Sequence, residues 1–341
     1  MSSSSVLEVD IPKDSNDVIL RDESYSSSSE TEETYSEYSY FDDSNFPYEK
    51  NIFELNREYI FLKRLNTNRD TVVYKAEHRE SKKIVAIKIT DDLNYALEAE
   101  NNLKNNKPRE INIMQKLQGH PNICKFLQYI PLLDTNCYAT ITEFIDCTED
   151  EIKPDQLKFY MYDVLQAIKH IHQNKIIYRD LKPSNILYST KDKHAILIDF
   201  DCSTFFNPIK GHYGEIGTAF HYAPEMSNSE KKKNSKKGVS ATKGYTTKVD
   251  IFAAGMTFAE LFFDIEECSI PYREIIDIIK AHAKENGMRP EFDLIVNMLN
   301  PDPKKRFNVN DCLNHHYFNV CKTKTKGKQP EQPKINRKQK D

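Results

Sequence analysis

The sequence predicts an α+β chain in which a small antiparallel β lobe with one helix precedes a larger, mainly helical lobe. Three observations predict it. Residues 58 to 90 run as short β-branched and aromatic stretches, "YIFLKRL", "TVVYKAEH" and "KKIVAIKIT", separated by polar breaks. Leu157, Met161, Val164, Leu165, Ile168 and Ile171 recur at helical spacing, so one helix face is buried. "KVDIFAAGMTFAELFF", from Lys248 onward, is apolar nearly all round, as a helix at the centre of a core must be.

The elements follow in order. The first three strands form an antiparallel meander, with the polar turn of "LNTNRDTVVYKA" between the first two. Residues 95 to 117 turn helical, with Ile111, Met114 and Leu117 at three-residue spacing. Two apolar runs, "ICKFLQYI" and "CYATITEFI", add strands before an acidic connector containing proline. The long amphipathic helix comes next. Short strands flank the loop "YRDLKPSN", "AILIDFD" is another strand, and the chain is helical after 245.

Composition sets the limits. A chain of 341 residues with 38% apolar side chains holds one large domain with tails. Residues 1–50 carry thirteen acids against three bases, and residues 321–341 carry eight bases against two acids. Both ends are short of the apolar surface that offsets ordering entropy, so both are expected to be disordered. The start lacks the basic residues and apolar run of a secretory signal, and no segment is apolar for the length of a membrane span. A soluble intracellular protein, cytoplasmic or nuclear, is therefore expected. Seven scattered cysteines without C-x-x-C spacing argue against a disulfide framework and a zinc site.

Chemistry-bearing residues sit at defined places on this pattern. "IIYRDLKPSNILY", residues 176–188, sets Asp180, Lys182 and Asn185 in one loop between apolar runs. "LIDFD" puts Asp199 at the end of a strand. Upstream, "VAIK" places Lys88 on a strand and "PREINIMQKL" places Glu110 on a helix. "GTAFHYAPE" at 217–225, Asp250 and "PDPKKRF" with Arg306 follow in order. Together these segments resemble the protein kinase family, serine/threonine class, and the resemblance runs from about 58 to 318. It implies the two-lobed protein-kinase fold, with an N-lobe of about 58–145 and a C-lobe of about 146–318.

The resemblance implies a role for each residue, in a reaction that asks the protein mainly to position groups and neutralise charge. Asp180 takes or orients the proton of an incoming protein hydroxyl. Asn185 and Asp199 hold Mg2+ on the phosphates of ATP, as hard oxygen ligands. Lys88 grips the α and β phosphates and pairs with Glu110. Lys182 is the lysine that marks serine/threonine kinases. Leu65, Asn66, Asn68, Thr71, Val73, Ala86, Thr142, Glu143 and Leu187 complete the ATP-binding set, with Val73, Ala86 and Leu187 around adenine and Thr142 gating a pocket behind it. Phe126, Met114, Phe200 and Tyr178 fall where the family stacks a column of side chains. In the activation segment Thr218 bonds Asp180, and Glu225 pairs with Arg306. Arg179 awaits a phosphate on Ser203, Thr204 or Tyr213, or takes Glu215 as a built-in anion. Cys202 is expected to be a packed thiol.

Two features depart from the family pattern. Asn66, Asn68 and Thr71 stand where three glycines normally cradle phosphate; asparagine tolerates positive φ, so Asn66 and Asn68 are expected to preserve the turn. Asp201 replaces the glycine of D-F-G and adds a carboxylate. Weak nucleotide binding is expected, and the alternative is a pseudokinase acting as a scaffold or allosteric partner. The basic insertion at about 227–244 fits acidic protein substrates, and nucleic acid is not an expected partner. Oligomeric state is not legible in the sequence.

Overall fold

Alternation builds the small lobe. Between Ile84 and Asp91, Val85, Ile87 and Ile89 are buried while Ala86, Lys88 and Thr90 are not, the two-residue period of a strand with one face in a core. The computed structural model describes residues 55–68, 70–91, 107–132, 137–147, 152, 154–209, 211–227, 244–265 and 270–326. Their packing divides into two units, one of residues 55–112 and 125–145, the other of residues 113–124 and 146–326. The expected N-terminal tail, residues 327–341, the first half of the expected 95–117 helix and nearly all of the basic insertion lie outside the described residues, whereas residues 321–326, expected to be disordered, are helical.

The first unit is an antiparallel sheet of five strands: β1 (Tyr59–Thr67), β2 (Thr71–His78), β3 (Ile84–Asp91), β4 (Phe126–Leu132) and β5 (Cys137–Glu143), in the order β1-β2-β3-β5-β4. One face buries Val72, Ala76, Val85, Ile87, Ile89, Ala139 and Ile141 with Leu55, Tyr59 and Leu132. Helix α1 (Arg109–Lys116) lies between β3 and β4 in the chain, with Glu110 in its first turn, where the helix dipole favours a carboxylate.

The second unit is mainly helical, with α2 (Pro154–Gln173), α3 (Pro224–Ser227), α4 (Lys248–Phe263), α5 (Tyr272–Asn286), α6 (Pro290–Met298), α7 (Val309–Asn314) and α8 (Asn319–Lys326). The apolar stripe expected on α2 is buried throughout, from Leu157 to Ile171. Helix α4 is buried without a break from Val249 to Glu260, which accounts for its nearly all-apolar sequence. It ends where Asp264 turns left-handed (φ 50) and gives its N–H to the Glu260 carbonyl. Two short two-stranded sheets, β6 (Ile176–Ile177) with β9 (Thr204–Phe205) and the hairpin of β7 (Ile186–Ser189) with β8 (His194–Leu197), bracket the loop 178–185. Among the described residues no helix is long and apolar enough to cross a membrane.

Candidate active site

Register on the first unit places one row of side chains on the sheet face opposite the core. Asn66 lies beside Val73, Val73 beside Lys88 and Lys88 beside Thr140; Ala86 lies beside Thr142. Lys88 Nζ reaches Glu110 Oε1 at 3.1 Å, and the Tyr138 hydroxyl donates to Glu110 Oε2 at 3.5 Å. Glu110 is 5% exposed, so its charge is stabilised by these two groups rather than by water. Glu143 closes β5 by exchanging hydrogen bonds with Lys125: its N–H donates to the Lys125 carbonyl, and its carboxylate accepts the Lys125 N–H.

The β1–β2 turn departs from expectation. Among the described residues the non-glycine positions at positive φ are Lys82, Lys175, Arg179, Lys193, Asp199 and Asp264; Asn66 and Asn68 are not among them. The asparagines preserve no glycine-like turn. The strand continues through Thr67, Asn66 Oδ1 accepts the Thr67 N–H at 2.8 Å, and Asn68 N–H closes the hairpin on the Thr71 carbonyl at 2.8 Å. Ordinary backbone angles and local side-chain bonding win because neither asparagine needs the left-handed region to close this hairpin. Leu65 beside it is 44% exposed.

On the second unit the loop from Tyr178 to Asn185 hangs from Asp250. That carboxylate is fully buried and accepts the Tyr178 N–H at 2.9 Å and the Arg179 N–H at 2.8 Å, with His172 Nε2 at 2.8 Å. Arg179 is thereby held at φ 73, a conformation that costs a non-glycine residue about 1–3 kcal/mol. The next side chain, Asp180, is enclosed by donors. Thr218 Oγ1 donates to Oδ1 at 2.7 Å, Asn185 Nδ2 to Oδ2 at 2.9 Å, and Lys182 Nζ lies 3.5 Å from Oδ2. Lys182 Nζ also donates to Thr218 Oγ1 at 3.0 Å. Thr218 comes this close because Gly217 precedes it: a Cβ there would sit 2.2 Å from the Arg179 carbonyl, and its φ is +104.

Asn185 is 6% exposed, and the ladder bond from the Ile198 N–H to its carbonyl sets it next to the Asp199 turn. Asp199 is left-handed (φ 55), and its Oδ1 accepts the Asp201 N–H at 3.3 Å. Tyr178 braces this turn, its hydroxyl donating to the Ile198 carbonyl and its ring standing edge-on to Phe200 at 5.4 Å. Leu187 lies on β7. Burial, with Asp180, Asp199 and Asp201 nearby, pushes the Cys202 thiol up to about 12, a packed and unreactive group.

Two expectations for the activation segment are corrected. Ser203 is fully buried and its Oγ donates to the Tyr178 carbonyl at 3.2 Å, so it is a structural hydroxyl and not a surface for modification. Glu215 is exposed and, among the described residues, does not pair with Arg179, whose guanidinium turns instead to the Cys202 carbonyl and the Tyr245 hydroxyl. Thr204 lies in β9, opposite Ile177, and Tyr213 is half-buried. Glu225 receives Arg306 Nη1 and Nη2 at 2.7 and 2.9 Å, and the fully buried Arg306 side chain also packs on Phe252.

Sequence reasoning overlooked Tyr138, His172, His221 and Tyr245. His221 Nε2 meets Glu260 at 3.0 Å inside the core. Each finds its partner between 28 and 78 residues away, so no local pattern marks it. A family model described as protein kinase domain matches residues 64–318.

Proposed function

This chain belongs to the protein kinase family, and from that premise we propose that it is a serine/threonine kinase that transfers the γ-phosphoryl group of ATP to a protein hydroxyl. The observation that carries the reading is the Asp180 carboxylate, aimed and held by Thr218, Asn185 and Lys182. An acceptor hydroxyl bonded to Asp180 loses its proton to that carboxylate as its oxygen bonds to phosphorus. The bond from phosphorus to the β-phosphate oxygen breaks, and ADP leaves. Lys182 neutralises charge on the moving phosphoryl group and, through Thr218, keeps the base oriented. Lys88, fixed by Glu110, holds the α and β phosphates, while Val73, Ala86, Thr142 and Glu143 take the adenine end. The domain is read as 58–318, with segments 1–50 and 321–341 outside it.

The donor set fits magnesium. The Asn185 amide NH2 is spent on the Asp180 carbonyl and carboxylate, which leaves its Oδ1 as a hard oxygen donor. Asn185 and Asp199 would hold the ion, which supplies charge neutralisation on the phosphates when bound. Acidic protein substrates suit the basic run at 227–244.

A pseudokinase is the second reading. It is favoured by the β1–β2 turn, where Asn66, Asn68 and Thr71 bring side chains and ordinary φ to a place where bare backbone approaches phosphate. Magnesium-dependent transfer of labelled phosphate from ATP to basic and acidic proteins, beside Asp180→Asn, separates the two. Incorporation by the wild type that is lost in a folded Asp180→Asn supports the kinase. No incorporation, and no thermal shift with ATP and magnesium, overturns it.

A further inference from the structure

Arg179 immediately precedes Asp180, is 8% exposed and has no carboxylate partner among the described residues. A guanidinium carries five donors, and burying it without acceptors is costly. Nε donates to the Cys202 carbonyl, and Nη1 to the Tyr245 hydroxyl at 3.3 Å. Tyr245 is 3% exposed, so this oxygen is held beside Arg179 by packing rather than by solvent.

The place of Tyr245 is itself dictated by close backbone approach. Its N–H donates to the His212 carbonyl at 2.9 Å, forming a bridge between the activation segment and the chain entering α4. A Cβ on the preceding Gly244 would lie 2.4 and 2.5 Å from His212 N and O, so only glycine permits the bridge. His212 in turn accepts the Asn207 N–H on Nε2 at 2.9 Å and stacks on Phe206 at 5.8 Å. That acceptor role requires an unprotonated ring, and burial, followed by the Arg179 charge, lowers the His212 pKa. Phe206 N–H donates to the Lys175 carbonyl at 2.7 Å, and Thr204 and Phe205 pair with β6. A continuous series of contacts therefore runs from β6 through Phe206 and His212 to Tyr245 and Arg179.

Resting on the kinase reading above, we propose that Tyr245 is a positioning residue: its hydroxyl latches Arg179, and with it Asp180 and the activation segment, in the working arrangement without phosphorylation of that segment. Gly244 and His212 set the latch.

Tyr245→Phe in the full chain removes one oxygen and keeps the ring, so folding is preserved. On protein shown by intact mass to carry no phosphate, kcat falls roughly ten- to a hundredfold, as expected for losing a hydrogen bond to a charged group. KM for ATP changes little, and amide exchange across 203–214 accelerates. Phosphatase treatment leaves wild-type kcat unchanged. An unaltered kcat in Tyr245→Phe, or wild-type activity lost on dephosphorylation, overturns the proposal; the latter would mean that an added phosphate supplies the anion for Arg179. If the wild type transfers no phosphate at all, the kinase reading fails, yet the exchange comparison still decides the latch: faster exchange in Tyr245→Phe upholds it, and identical exchange at 203–214 overturns it.

Discussion

Asp250→Asn keeps the shape of a fully buried side chain and removes one of its two acceptor oxygens. In the wild type Oδ1 accepts the Arg179 N–H at 2.8 Å, while Oδ2 accepts the Tyr178 N–H at 2.9 Å and faces His172 at 2.8 Å. An amide offers one oxygen, so in either orientation its NH2 confronts a donor. With the oxygen on the Tyr178 side, the Arg179 N–H loses its acceptor, at about 1–3 kcal/mol. That N–H belongs to a residue held at φ 73, whose strain of about 1–3 kcal/mol the hydrogen bond had offset. The expected destabilisation is about 1–3 kcal/mol, which for a domain of this size lowers Tm by about 2–12 °C. Activity should fall further than stability. Relaxation of Arg179 displaces Asp180, and a misplacement on the order of 1 Å costs about a hundredfold in rate. Thermal melts followed by circular dichroism and steady-state phosphotransfer, both well below the variant's Tm, provide the check. A folded variant with kcat within about threefold of wild type would refute the claim that Asp250 positions the catalytic loop.

Asp163 supplies a pH test. Burial raises its carboxyl from 3.8 to about 6, although the Ala195 N–H and His194 oppose the shift. Because the folded pKa lies above the unfolded one, the charged carboxylate destabilises the fold above about pH 6, and this penalty fades as pH falls toward the unfolded value. Asp163→Asn keeps an acceptor for the Ala195 N–H, so its Tm should exceed wild type at about pH 7.5, with the gap shrinking to under about half at pH 4.5. An equal gap at both would exclude the titration. Arg306→Met leaves Glu225 without its bidentate partner and frees the Asn300 and Lys248 carbonyls, so a cost of about 3–5 kcal/mol is expected in chemical denaturation. Adding Glu225→Leu should recover part of that loss, and a double variant no better than the single would argue against the ion pair as its source.

The fold class was legible because its signals are local. Period-two alternation in β2 and β3, the helical stripe from Leu157 to Ile171 and the nearly all-apolar run of α4 each report burial from a short window. So did the order of the charged residues, since Lys88, Glu110, Asp180, Asn185 and Asp199 stand within recognisable strings. What the sequence by itself determined, then, is which elements form, which faces they bury and where the charged groups lie along the chain.

Only the tertiary structure decided who meets whom. Asparagine's tolerance of positive φ says nothing about whether a turn demands it, and the β1–β2 hairpin closes without using it. Arg179 and Glu215 have opposite charges, yet the guanidinium goes to a carbonyl and a phenol because burial places those oxygens beside it. Ser203 reads as a modifiable hydroxyl until it is seen donating a hydrogen bond to the Tyr178 carbonyl inside the core. His172 with Asp250 and Tyr245 with Arg179 are 78 and 66 residues apart. Hydrogen bonds act over about 3 Å of space whatever the separation along the chain, so pairs of this kind exist only once the helices and hairpins have packed.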